Sequence, residues 1–175
     1  MRKSFKARRL TKLQPQNTQK LITFRLREEW FALRIKDVVK VIIADKIYGH
    51  SQQQGISLTQ YQDQEILVID VGYAIFSQPK TSQLTDQIKS KDLQYLVIIQ
   101  NSNQEIVAIP IDSPPTIYQV DNTQFKILPE QYLNLGKIQS ISNKIVEVQE
   151  QSPLFVIDPE QIINKYSNFF GVAEN

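Results

Sequence analysis

The chain has 175 residues, of which 41% are hydrophobic, with no cysteine and one histidine. The lack of cysteine excludes disulfides, thiol catalysis and cysteine-ligated metals, and a single histidine excludes a histidine-rich metal site. The formal net charge of +2 conceals a division: residues 1–20 hold seven bases (Arg2, Lys3, Lys6, Arg8, Arg9, Lys12, Lys20) and no acid, which leaves the rest of the chain net acidic.

Residues 1–19 are rich in Lys, Arg and Gln without apolar periodicity, and read as a basic disordered leader. Such a segment can attract nucleic acid, anionic lipid or an acidic protein surface. It has no apolar core or small-residue cleavage site, so a secretory signal is not expected. From Leu21 the pattern becomes β-rich. Leu21–Leu26 and Trp30–Ile35 flank the polar Arg27-Glu28-Glu29 and predict a hairpin. Val38–Ile43 predicts a third strand, and His50–Gln54 a polar loop. Ile56–Tyr61 and Ile66–Val71 predict a second hairpin around Gln62-Asp63-Gln64-Glu65.

Residues 77–93 are poor in apolar side chains and rich in Ser, Gln and Lys, which suits a polar connector. Gln94–Gln100 and Glu105–Ile111 predict another hairpin around Asn101-Ser102-Asn103-Gln104. Pro114-Pro115 breaks the chain before Ile117–Val120. Ile138–Ile141, Ile145–Val148 and Leu154–Ile157 predict a closing meander, with turns at Ser142-Asn143 and 149–153. No apolar run approaches the ~18 residues of a membrane-spanning helix.

A weak internal repeat organises these elements. Each half opens with an apolar hairpin. Each ends in nearly the same tetrapeptide, Leu67-Val68-Ile69-Asp70 and Phe155-Val156-Ile157-Asp158, before a helix-compatible stretch. Asp158 followed by Pro159 is a good helix start, because the carboxylate caps free N–H groups and proline fits the first helical position. Asp70 can cap 71–76 in the same way. Many short strands with little helix predict an all-β barrel or sandwich, and two similar halves predict two barrels. The expected organisation is a leader over 1–19, a folded region over 20–166 with halves at 20–76 and 94–166, and a tail over 167–175.

The sequence offers no catalytic constellation. His50 sits in a Gln-rich stretch, no glycine-rich phosphate loop follows a strand, and the carboxylates are scattered. No catalytic residue, cofactor or metal is expected. Trp30, Tyr61, Tyr95 and Tyr118 are read as core packing. An RNA-binding barrel would interleave exposed aromatics with bases on its strands. Here the bases concentrate in the leader, so the alternative of a small nucleic-acid-binding barrel rests on residues 1–20 alone.

Three stretches, in this order and spacing, resemble the CheW-like domain family. They are Phe24–Leu26 with Trp30–Ile35 and Val38–Ile42; Ile66–Val71; and Val107–Asp112 with Ile127–Pro129 and the closing Leu154–Ile163. The resemblance covers roughly Leu21–Tyr166. It implies two intertwined five-stranded, SH3-like β-barrels with short helices at segment ends. It also implies a non-catalytic, cytoplasmic adaptor that couples a chemoreceptor-like protein to a chemotaxis-type histidine kinase, recruited to membrane-bound receptor assemblies without inserting itself.

The family's receptor-facing turn usually reads Asn-aliphatic-Arg-Gly. The matching positions here are Gln60-Tyr61-Gln62-Asp63. Lys40 stands where the family often has glutamate. The resemblance thus implies a partner-binding surface at Lys40, Gln60, Gln62 and Asp63 with altered charge, suited to a divergent system such as pilus-driven motility.

Overall fold

The computed structural model describes residues 17–44, 46–51, 55–76, 95–130, 141–148 and 152–168. Among these, twelve strands run in chain order: β1 Thr18–Leu26, β2 Glu29–Arg34, β3 Val38–Ile43, β4 Tyr48–Ser51, β5 Ile56–Tyr61, β6 Gln64–Ile69, β7 Tyr95–Gln100, β8 Ile106–Ile111, β9 Thr116–Asp121, β10 Phe125–Ile127, β11 Ile141–Val146 and β12 Leu154–Ile157. Two helices, α1 Val71–Phe76 and α2 Pro159–Tyr166, follow β6 and β12. Neither is long and apolar enough to cross a membrane.

The strands form two six-stranded sheets, ordered β10-β11-β12-β2-β1-β9 and β3-β7-β8-β6-β5-β4. In each sheet the two edge strands are consecutive in sequence. β9 and β10 are joined by the three-residue turn Asn122–Gln124, and β3 and β4 by residues 44–47. A flat six-stranded sheet would hold its edges about 24 Å apart at ~4.8 Å per strand. The three-residue link between β9 and β10 spans at most ~14 Å from strand end to strand end. The first sheet must therefore curl towards a barrel, one bent strand serving as both of its edges. The edge strands of neither sheet pair with one another, so the expected five-stranded barrels are present as six-stranded sheets that do not close.

Neither sheet follows the division into halves at 20–76 and 94–166. The first takes β1 and β2 from the early part of the chain and β9–β12 from the late part, while the second takes β3–β6 and β7–β8. Single parallel pairings lock the exchange: Phe155 and Val156 of β12 lie opposite Phe31 and Ala32 of β2, and Val68 of β6 opposite Ala108 of β8.

Three hydrophobic cores result. The largest lies between the sheets and gathers Phe24, Phe31 and Leu33 from the first, Ile69, Val97, Ile99 and Ile109 from the second, and Ile162, Ile163 and Tyr166 from α2. A second core sits on the other face of the first sheet, around Leu21, Ala32, Val146 and Val156. The third sits on the other face of the second sheet, around Ile66, Val68, Leu96, Ile98 and Ala108. Strands with cores on both faces need no polar alternation, hence the unbroken Leu96-Val97-Ile98-Ile99.

Both expected caps are present. Asp158 accepts the N–H of Glu160 at 3.1 Å, with Pro159 in the first turn of α2. Asp70 accepts the N–H of Tyr73 at 2.8 Å. Asn101 fixes the β7–β8 turn, its Oδ1 accepting the N–H groups of Asn103 and Glu105 at 3.0 and 2.9 Å.

Several local expectations are corrected. Thr18 and Gln19 belong to β1, where they pair with Asp121 and Val120, so the leader cannot extend to residue 19. His50 and Ser51 lie in β4 rather than in a loop. Ser142 and Asn143 are not a turn between two strands but an irregularity inside β11, where the register against β12 shifts between Ile141 and Ile145. The Ser142 hydroxyl accepts the N–H of Lys144 at 3.2 Å, which satisfies backbone that a regular ladder would have paired. Tyr118 is exposed on an edge strand rather than packed in a core. The connector over 77–93, most of the leader and most of the 167–175 tail lie outside the described residues.

Candidate partner interface

All four residues of the expected surface are exposed. Gln62 and Asp63 form the two-residue turn of the β5–β6 hairpin, with φ of 50° and 64°. Two consecutive left-handed residues match the twist of a tight hairpin, a position that favours Asn-Gly. Neither residue here is glycine, so the turn stores backbone strain. Asp63→Gly should raise stability by about 1 kcal/mol, a shift of roughly 2–4 °C for a domain of this size. A thermal melt checks this, and an unchanged or lower melting temperature would contradict it.

Gln60 pairs with Glu65 across the hairpin. Glu65 accepts the hydroxyl proton of Tyr48 on β4 at 2.9 Å. That hydrogen bond, with smaller contributions from desolvation and from the carboxylate charge, raises the Tyr48 phenol above its ordinary value. This end of the second sheet therefore presents a polar, acidic rim: Gln60, Gln62, Asp63 and Glu65.

Lys40 is not part of that rim. It lies on β3, separated from β5 within the sheet by β7, β8 and β6. The registers Lys40↔Ile98, Ile98↔Ala108, Ala108↔Val68 and Val68↔Ser57 place Lys40 on the sheet face of Ser57. Gln60 lies three residues on, on the opposite face. A partner contacting both would have to wrap the edge of the sheet.

The sequence reading missed the polar junction between the sheets. Arg27, in the β1–β2 turn at φ 57°, donates its backbone N–H to Asp112 Oδ2 at 2.6 Å. Its guanidinium bridges Asp112 at 3.1 Å and Asp70 at 3.0 Å. These carboxylates stand just past the ends of the parallel strands β8 and β6, so one side chain of the first sheet clamps two strand ends of the second. The Asp112 N–H donates to Arg25 O at 2.9 Å, and the Arg25 N–H to Ser113 Oγ at 3.0 Å. Gly72 leaves room for the clamp, since a Cβ there would lie 3.1 Å from Asp70 Oδ1 and 3.2 Å from Arg27 Cζ. A clue lies in the sequence: Asp112 directly follows the apolar run 107–111, as Asp70 directly follows 66–69.

The clefts offer little for chemistry. One of about 470 Å³ is lined by Gln19, Arg34, Asn122, Lys144 and Asp158. Its carboxylate, Asp158, is engaged by the Glu160 N–H and the Gln161 side chain. Among the described residues no group of three His, Cys, Asp or Glu side chains is placed to hold a metal ion.

The sequence profile of the CheW-like domain matches residues 20–167, most of the chain and both sheets. The chain belongs to the CheW-like domain family. Among solved structures it is similar in fold to the scaffolding protein TtCheW from Thermoanaerobacter tengcongensis. The two share 18% sequence identity with a TM-score of 0.60, over 80% of this chain and 88% of that one. Among curated protein sequences there is no match. In this CheW-like domain the β5–β6 turn and β3 both belong to the second sheet, while the Arg27 clamp joins that sheet to the first. Membership of the CheW-like family supports a scaffold role in chemotaxis-type signalling.

Proposed function

We propose that this CheW-like domain is a non-catalytic adaptor that couples a chemoreceptor-like protein to a chemotaxis-type histidine kinase at the cytoplasmic face of a receptor assembly. The observation that supports this reading is the exposed β5–β6 turn on a CheW-like fold. Its residues Gln62 and Asp63 lie outside every core, so their chemistry is free to answer to a partner. Asp63 and Lys40 depart from the family's usual charges, which suits a divergent receptor, such as one governing pilus-driven motility. A charge that faces its complement steers association and suppresses wrong partners.

The test is a calorimetric titration of the Lys40→Glu/Asp63→Arg variant against the receptor's cytoplasmic fragment and the kinase. Receptor affinity should fall about tenfold or more while the melting temperature holds. Because Lys40 lies on β3 and Asp63 in the β5–β6 turn, with β7, β8 and β6 between those strands, each single variant is measured as well, and Asp63→Arg should account for most of the loss. Unchanged affinity for both partners with an unchanged melt would place the interface elsewhere.

A further inference from the structure

Among the described residues each sheet ends in two edge strands, and three of these four carry features that discourage a further strand from adding. β3 has a register shift between Val38 and Lys40, and Lys40 itself is exposed. β4 is four residues long, irregular in register, with Gly49 at φ 78°. β10 is three residues long with Lys126 at its centre. Bulges, shortness and lysines are the means by which natural edge strands avoid pairing.

β9 has none of these. Its register against β1 is unbroken from Thr18↔Asp121 to Thr23↔Thr116. Thr116-Ile117-Tyr118-Gln119-Val120 contains no charge, glycine or proline, and is rich in the residue types that favour strands. Thr116 to Gln119 are exposed in succession, Ile117 at 62%.

The backbone is poised in the same way. Just beyond β9, the Asn122 N–H donates to Asn17 O at 3.0 Å, extending the β1–β9 ladder. Bonded and non-bonded pairs alternate along an antiparallel ladder. Val120, Tyr118 and Thr116 therefore face β1 with their N–H and C=O groups, while Ile117 and Gln119 point theirs outward.

We propose that β9 pairs with β9 of a second copy of this chain, antiparallel about a two-fold axis at Tyr118. Ile117 of each copy then lies opposite Gln119 of the other, and all the outward N–H and C=O groups of these residues are satisfied. The two Tyr118 side chains meet as a non-bonded pair, where cross-strand side chains come closest. No like charges are opposed, and Asp121, which caps the Asn122–Gln124 turn, stays outside the pairing. The second copy is the occupant because the edge is complementary to itself. The contact is isologous, so association through it stops at the dimer.

The chain's lack of cysteine makes the test direct. In the full chain, Tyr118→Cys should form a disulfide-linked dimer at least about tenfold faster than Lys40→Cys, since Cα atoms of a non-bonded pair lie ~4.5 Å apart, within disulfide range. Gln119→Pro removes an outward N–H without touching the β1 ladder, a position where an edge strand tolerates proline. It should weaken dimerisation at least about tenfold by sedimentation equilibrium, and Ile117→Lys should do the same by opposing bulk and charge. A wild-type chain that stays monomeric up to roughly 1 mM overturns the proposal. So does a dimer that survives both substitutions, or equal cross-linking of the two cysteine variants. A monomeric chain that instead captures a different protein's strand on β9 overturns self-pairing in favour of another occupant.

Discussion

Phe31→Ala should destabilise the chain by about 3–5 kcal/mol, the range for emptying a buried phenylalanine site. Phe31 is 1% exposed in the core between the sheets. Its ring meets Phe76 of α1 edge-on at 6.3 Å and Phe155 of β12 at 5.7 Å. Phe155 is also its register partner in the parallel β2–β12 pairing, which joins the early hairpin to the last strand of the chain. The cavity would thus open where the late part of the chain closes onto the early part. Neighbours on two strands and a helix cannot all collapse into it, so the cavity contribution should persist. The melting temperature should fall by roughly 6–20 °C at about 2–4 °C per kcal/mol. Denaturant titration gives the free energy, and Phe31→Leu, which refills most of the volume, should recover more than half of the loss. A loss below ~1 kcal/mol for Phe31→Ala would mean that the β2–β12 junction is not packed as described.

Arg27→Met should cost about 2–3 kcal/mol. It keeps most of the side-chain bulk but leaves the Asp70 and Asp112 carboxylates near one another without their shared cation. Removing one member of a fully buried ion pair typically costs ~3–5 kcal/mol. The three side chains here are 19%, 23% and 15% exposed, so solvent screening brings the figure down. The backbone distinguishes a clamp from a mere turn residue. At φ 57°, glycine would relieve strain worth about 1 kcal/mol. Arg27→Gly should therefore destabilise less than Arg27→Met, yet still destabilise. A stabilising Arg27→Gly would show that the ion bridge contributes nothing. A double-mutant cycle of Arg27→Met with Asp112→Asn isolates the pair, with an expected coupling of ~1–2 kcal/mol that weakens in high salt.

The local pieces of this domain were legible in the sequence because their causes are local. The hairpins at 21–35, 56–71 and 94–111 follow from β-rich runs broken by polar turns. The caps at Asp70 and Asp158 follow from a carboxylate placed just before a helical stretch. The order of apolar segments pointed to the CheW-like family, and the exposure of Gln62 and Asp63 follows from their place in a hairpin turn. What the sequence left ambiguous depends on which strands become neighbours. Leu96–Ile99 and Leu67–Ile69 are apolar at every position, so alternation does not assign their faces. That two cores flank each of these strands emerges only when both sheets are assembled. The exchange of strands between early and late parts rests on the pairings β2–β12 and β6–β8, which no local pattern announces. Lys40 and Gln60 looked like one surface on a line of text, whereas strand order and side-chain parity put them on opposite faces. Arg27 looked like an ordinary polar turn residue, and its two partners lie 43 and 85 residues away. Hydrogen bonding and turn geometry act over a few residues and can be read along the chain, whereas ion pairs and edge exposure depend on proximity in space, which the tertiary structure alone decides.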